Sequence, residues 1–529
     1  MAATLKPVLS MSAATTLSRI TGYARTVTQA ATLGTGAVAN AYTLSNALPT
    51  QIYDLFMGGL LSSIFVPLLV ERLTRHGEED ARHLTNALLT LILPFLGVLA
   101  LLGIFFAEPL VALTTAWRPA EGFSRQEAQQ ATSLAVLLFR VFALQILFYG
   151  VGALATGVMQ SHRRFFLPTF APVLNNLIVI ASFGLYALLI RSSPVAAIYT
   201  LAFGTTLGVA LMSLVLVPAA WRLGYRPRPA LEHPALLAAV RLAAPVLVFV
   251  VASVGVQIVT NLIGSRFGGV EKIFYAFVIF QLPYGVFVVA IATALMPELS
   301  ERFTRGDPDG FRENLSFGLR TTAVVAVPAS VALVVLAEPI VGLLYEHGNF
   351  TGEDTREVAA LLAAYSVGLL GYVNSFVLAR SFYSRQNTKI PALLNVVLLA
   401  LYVALAHALS RTMALPGVAL AFSGAYTLLA LALLAAMRRE MRHVDGHRLL
   451  RSMAKILVAG AAMYAVALGG KALVLEGGAE SGFLERMVVV ALVGGVSLGA
   501  YIGVAYLLKV EELRPALALL RQRAAKDES

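Results

Sequence analysis

A chain of 529 residues with 58% hydrophobic and 13% charged residues and a mean hydropathy of +0.78 is too apolar for a water-soluble protein, in which about a quarter of residues are charged. The absence of cysteine excludes disulfides, thiolate metal sites and cysteine nucleophiles. The formal charge of +11 would suit nucleic acid, but it sits in short loops between apolar runs, which assigns it to membrane orientation and not to a nucleic-acid partner.

Taken in order, apolar runs of about 20 residues, each long enough to cross roughly 30 Å of hydrocarbon as a helix, predict spans near 9–33, 41–70, 86–106, 131–157, 168–190, 195–220, 241–264, 273–298, 316–343, 358–383, 390–409, 415–437, 452–474 and 485–508. The chain is therefore read as an all-α polytopic membrane protein of fourteen transmembrane helices. Residues 1–9 lack a charged-then-apolar leader with a cleavage site, so the first span is expected to be retained.

The first span contains Ser18-Arg19-Ile20-Thr21-Gly22-Tyr23-Ala24-Arg25. An arginine at bilayer centre costs about 3 kcal/mol on insertion scales, so such residues normally face a bundle interior or a watery pathway. Snorkelling does not rescue Arg19, which lies 13 residues beyond Lys6, about 20 Å of helix. Arg19 and Arg25 are about 120° apart around an ideal helix and roughly 9 Å apart along it, so they could share a broad chamber, or converge if the helix bends at Gly22. A guanidinium stays charged and presents a planar fork suited to phosphate, which makes a diphosphate the matching anion. The competing arrangement is an internal ion pair. For that role Asp54, almost the only acid well inside a span, is the natural partner of either arginine.

Later spans add Arg140 as a further cavity cation, with Arg320 and Arg380 also inside spans; Arg380 and Arg385 read as interfacial anchors. Amides such as Gln145, Asn175, Asn176, Gln257 and Asn374 are expected to bond between helices before they touch any substrate. Of the lysines and arginines outside spans, 25 fall on the side of the termini and 9 on the other, which predicts cytoplasmic termini.

The chain also repeats itself. Pro67-Leu68-Leu69-Val70-Glu71-Arg72-Leu73-Thr74-Arg75 matches Pro297-Glu298-Leu299-Ser300-Glu301-Arg302-Phe303-Thr304-Arg305, and Ala107-Glu108-Pro109-Leu110-Val111 matches Ala337-Glu338-Pro339-Ile340-Val341, both at an offset of 230. Six spans per repeat give two parallel six-helix lobes related by an axis along the membrane normal, a transporter plan with a central cavity. The expected divisions are 1–225 and 226–445 for the lobes, 446–510 for helices thirteen and fourteen, and 511–529 for a basic cytoplasmic tail.

Enzyme chemistry finds no foothold. The histidines form no metal-spaced cluster on one span, no Walker A pattern is present, and Glu353 and Asp354 read as a solvated turn. No cofactor is expected. Energy must come from an ion gradient, the membrane potential, or substrate supply and removal, and the coupling ion stays open.

The order of several motifs resembles the MurJ/MviN lipid II flippase family of the MOP superfamily. They are the Ser18 to Arg25 stretch, Leu48-Pro49 with Phe65-Val66-Pro67, Arg164-Phe165-Phe166-Leu167-Pro168, Gln281-Leu282-Pro283-Tyr284-Gly285, His347-Gly348-Asn349-Phe350-Thr351 and Phe382-Tyr383-Ser384-Arg385-Gln386-Asn387. The resemblance implies fourteen helices, a cationic cavity, and transfer of a polyprenyl-diphosphate-linked peptidoglycan precursor from the cytoplasmic to the periplasmic leaflet of the bacterial inner membrane. It also implies a lipid-tail groove on helices thirteen and fourteen, with cell-wall synthesis proteins as candidate partners. Ser18, Arg19 and Arg25 match the family's helix-one residues. Asn40, Asp54 and Phe277-Val278 depart from it, standing where many members have aspartate, arginine and an Asp-Arg pair; the pattern Tyr53-Asp54-Leu55-Phe56-Met57-Gly58-Gly59, together with Gln281-Leu282-Pro283-Tyr284, looks like the actinobacterial branch. The rival readings are a MOP-type exporter of a small cation, drug or other lipid-linked saccharide, which predicts a carboxylate-rich cavity, a non-transporting cell-wall scaffold, and a membrane glycosyltransferase.

Overall fold

The computed structural model describes residues 2–54, 65–115, 125–385, 387–441, 446–474 and 482–512. Every expected span is mostly helix over its described residues, with turns at 143–144, 215–216, 336 and 368 breaking four of them. Among those residues nine helical segments are long and apolar enough to cross a bilayer, or ten when one bent pair is counted as a single span. The longest of them, Lys389–Met441, carries two of the expected spans.

By internal packing the chain forms two compact units. The first comprises 1–271 with 347–351, and the second 272–346 with 352–529. The sequence repeat suggests a division at 225/226, but the packing boundary falls later, because the seventh span packs against elements of the first unit.

The first unit contains α1 (Ala2–Leu33), α2 (Ala37–Asp54), α3 (Val66–Arg75), α4 (Gly77–Phe105), α5 (Ala107–Thr114), α6 (Arg125–Phe142), α7 (Gln145–Ser161), α8 (Phe166–Leu189), α9 (Pro194–Leu214), α10 (Val217–Arg222) and α11 (Leu236–Arg266). Helix α1 runs along α8, α8 packs on α9, α2 on α6, and α11 touches α2, α4 and α5. The core forms where Tyr42 meets Phe142 and Phe183 edge-on, at centroid distances of 5.6 and 5.4 Å, an arrangement that aromatic quadrupoles favour. Helix α4 leaves Leu91, Phe95, Val98, Leu101, Leu102 and Phe105 exposed. A soluble protein would not tolerate such a stripe, so it marks a face that lipid covers.

The second unit takes over inside α12 (Val270–Pro283) and adds α13 (Val289–Thr304), α14 (Pro308–Val335), α15 (Ala337–Tyr345), α16 (Gly352–Val367), α17 (Leu369–Ser384), α18 (Lys389–Met441), α19 (Gly446–Val474), α20 (Phe483–Val488) and α21 (Gly494–Leu507). Pro283 has no N–H to give the helical ladder, and α12 reaches α13 through a π-helical turn, Tyr284–Val288. As one straight rod α18 would be about 80 Å long, far more than a bilayer. It breaks at Ala414, whose φ of 51° and ψ of −131° are non-helical, two residues before Pro416. Phe277, which stands where the resemblance would put a charged residue, packs on Tyr365 and Phe422 at 5.5 and 5.6 Å.

The sequence repeat has a structural counterpart. At Phe106, between α4 and α5, the backbone turns through φ −101° and ψ 25°; at Leu336, 230 positions on and between α14 and α15, it turns through φ −99° and ψ 18°. Both donate back four residues, to Leu102 and Ala332 carbonyls at 2.8 and 2.9 Å.

Candidate substrate-binding site

Helix α1 is an uninterrupted α-helix from Ala2 to Leu33, so Arg19 and Arg25 keep the separation of an ideal helix. Its hydroxyl groups do not all face outward. Thr21 donates to the Leu17 carbonyl at 2.8 Å, Thr28 to Ala24 at 2.8 Å and Thr32 to Thr28 at 2.7 Å. These bonds back to the preceding turn satisfy polarity inside the helix.

The helix is seated by an amide. Asn176 of α8 donates from Nδ2 to the Ser18 carbonyl at 3.3 Å and to Thr21 Oγ1 at 3.1 Å, while Gly22 lets that same side chain approach closely. Ser18 is half-buried at this contact, Arg19 is exposed, and Arg25 is half-buried. Among the described residues neither guanidinium makes an ion pair. Arg25 lies near enough to Tyr42 to interact electrostatically, and Tyr42 shares a 3.0 Å hydrogen bond with Thr205.

The other candidates are placed differently. Arg140 Nη2 lies 3.2 Å from Glu108 Oε1 at the start of α5, so its charge is already engaged by protein. Asp54 ends α2, and its side chain lies outside the described residues. Arg320 is buried against Glu512 and bonds the Ser316 carbonyl at 3.2 Å, a structural role. Arg380 stacks over the Phe376 ring at 4.7 Å, and Arg385 binds Glu440 at 2.6 Å. Some of the amides act between helices as expected: Gln145 reaches Thr206 of α9 at 3.4 Å, and Asn374 accepts from Thr322 of α14 at 3.0 Å; Gln257 instead donates to Asn261 on its own helix α11 at 2.9 Å.

Sequence reasoning missed Glu271. This carboxylate is fully buried in the first unit, accepting from Gln29 Nε2 of α1 at 2.8 Å and from Thr43 of α2, while its own backbone N–H donates to Asn40 Oδ1 at 3.2 Å. It comes one residue after Gly268-Gly269 and directly before Lys272, which makes it look like a solvated loop residue. The one available signal was the polar run Asn40 and Thr43 on the second span, which needed buried partners.

The sequence family described as Lipid II flippase MurJ matches the chain over residues 29–507. The chain belongs to this family. Among MurJ relatives, the lipid II flippase MurJ of Burkholderia cenocepacia is 32% identical over 395 residues, covering 73% of this chain and 74% of that protein. The probable lipid II flippase MurJ of Bdellovibrio bacteriovorus is 31% identical over 520 residues, covering 96% and 95%. Among solved structures, a lipid II flippase MurJ in an inward closed conformation superposes with a TM-score of 0.77 at 23% identity, covering 95% of this chain and 99% of that one. An inward-facing multidrug resistance MATE family transporter of the MOP superfamily gives 0.65 at 15% identity, covering 79% and 94%. These likenesses establish the MOP-type helical fold and a multi-pass membrane protein.

Proposed function

We propose that the protein is a flippase that moves lipid II, or a closely related polyprenyl-diphosphate-linked peptidoglycan precursor, from the cytoplasmic to the periplasmic leaflet. Membership of the MurJ family supports the substrate class. The observation that carries the assignment to particular residues is the pair of α1 guanidinium groups with no ion-pairing carboxylate among the described residues. A permanent cation inside a span is costly unless it meets water or an anion, and a diphosphate supplies paired oxygens for bidentate hydrogen bonds. Arg19 and Arg25 are the proposed ligands, with Ser18 beside them. Arg140 already has Glu108 as a partner, so it contributes less to the ligand set.

In this reading the headgroup travels through water lined by protein while the polyprenyl tail stays in lipid, which spares the charged sugar-peptide from hydrocarbon. Accessibility alternates between leaflets by rearrangement of the two repeats, the general scheme for transporters built this way. Both termini face the cytoplasm. The test is exposure of lipid II on the outer surface of cells depleted of their own flippase and supplied with this protein. Restored exposure supports the assignment, and exposure no greater than in unsupplied cells refutes it.

A further inference from the structure

A cleft of about 260 Å³ opens in the second unit where α14 passes into α15 and meets α16 and α19. Its lining includes the apolar Val335, Ala360 and Ala363 together with three charged side chains, Glu338, Arg356 and Lys471. Lys471 Nζ lies 3.8 Å from Glu338 Oε2, too long for a direct hydrogen bond, with both side chains partly open to solvent. Arg356 is exposed and makes no ion pair among the described residues. The lining therefore carries a net positive charge beside an apolar trough, at the ends of three membrane helices on the face opposite the termini.

That combination fits an amphiphile and not a free ion. A phosphodiester would sit between Arg356 and Lys471 with the first carbons of an acyl chain against the alanines, as basic sites at helix ends hold anionic headgroups. A zwitterionic lipid would bring an ammonium group towards two cations. We infer that this cleft binds an anionic phospholipid of the leaflet opposite the termini, held through its phosphate. The site is separate from the α1 arginines, and the inference does not rest on the flippase reading.

The experiment is native mass spectrometry of the purified full-length protein in non-ionic detergent, offered phosphatidylglycerol or phosphatidylethanolamine. The wild type retains phosphatidylglycerol preferentially, and millimolar inorganic phosphate leaves it bound. Arg356→Gln/Lys471→Gln lowers that retention about fivefold, the scale of exposed charge contacts, with an unchanged thermal midpoint. Glu338→Gln raises it, because Lys471 is released to the phosphate; loss of a merely structural contact would not have that effect. Should the double variant misfold, Arg356→Gln alone decides. Equal retention of both lipids, unchanged retention in the arginine variant, or displacement by inorganic phosphate overturns the proposal.

Discussion

Arg320 shows how differently the same residue type is used within one chain. Its guanidinium is buried between α14, the turn after α21, and α19, where Glu512 also accepts from Ser452 at 3.1 Å and Glu511 lies 3.3 Å from Arg320. Removing one member leaves an uncompensated buried charge, so Arg320→Met is expected to destabilise by about 3–5 kcal/mol, while Arg320→Met/Glu512→Leu recovers most of that loss. Thermal unfolding in detergent checks both; an unaffected single variant would contradict the burial. His233 gives a pH-dependent case on the terminus-side loop. Its Nδ1 accepts from the Ala235 N–H at 3.1 Å, its Nε2 faces Asp80 at 3.4 Å, and Arg72 and His83 are close by. Burial is the largest influence and holds its pKa below the ordinary histidine value, outweighing Asp80. The unfolded chain then takes up a proton first as the pH falls, so stability is lost on acidification through the ordinary histidine range. His233→Gln should flatten that part of the curve; an identical pH dependence would contradict this. At this scale the sequence made the intramembrane cations conspicuous, because bilayer energetics single them out. It could not separate Arg19 and Arg25 from Arg140 and Arg320, whose acids come from distant positions, nor mark Glu271 as buried.

Most spans were legible as elements because each apolar run must close its hydrogen bonds as helix within the bilayer. Their interruptions were not. The tenth span reads as one run over 358–383, yet α16 and α17 are bent by 48° at Gly368. No proline announces the bend. Packing requires it: a Cβ on Gly368 would lie 2.4 Å from the Ser423 Cα of α18, and Ser423 Oγ donates to the Ala364 and Tyr365 carbonyls at 2.7 and 2.9 Å. Gly368→Ala should therefore cost about 1–3 kcal/mol through overpacking, measured as a lowered thermal midpoint; an unchanged midpoint would contradict the close approach. The repeated Ala-Glu-Pro after Phe106 and Leu336 was legible, but the turn at Leu336 was not, since the expected span 316–343 runs through it. Glycine-mediated contacts depend on what stands opposite, which one chain segment does not record.

For the molecule as a whole, the bias of 25 cations against 9 is the basis of the orientation, and the absence of cysteine makes it directly testable. Single cysteines at Ser192 and Arg226, in loops on opposite faces, should react differently with a membrane-impermeant maleimide: Ser192→Cys in intact cells, Arg226→Cys only after permeabilisation. The reverse pattern would invert the positive-inside assignment. The division at Glu271 and Lys272 was not legible, because the repeat reports ancestry of sequence while packing depends on which helices bury surface together. The central claim remains the role of the α1 arginines. Its most direct test compares lipid II exposure in flippase-depleted cells carrying wild type or Arg25→Ala at equal abundance and equal thermal midpoint. Loss of charge-assisted hydrogen bonds to the diphosphate predicts exposure slowed about tenfold or more, and exposure at the wild-type rate would contradict the account.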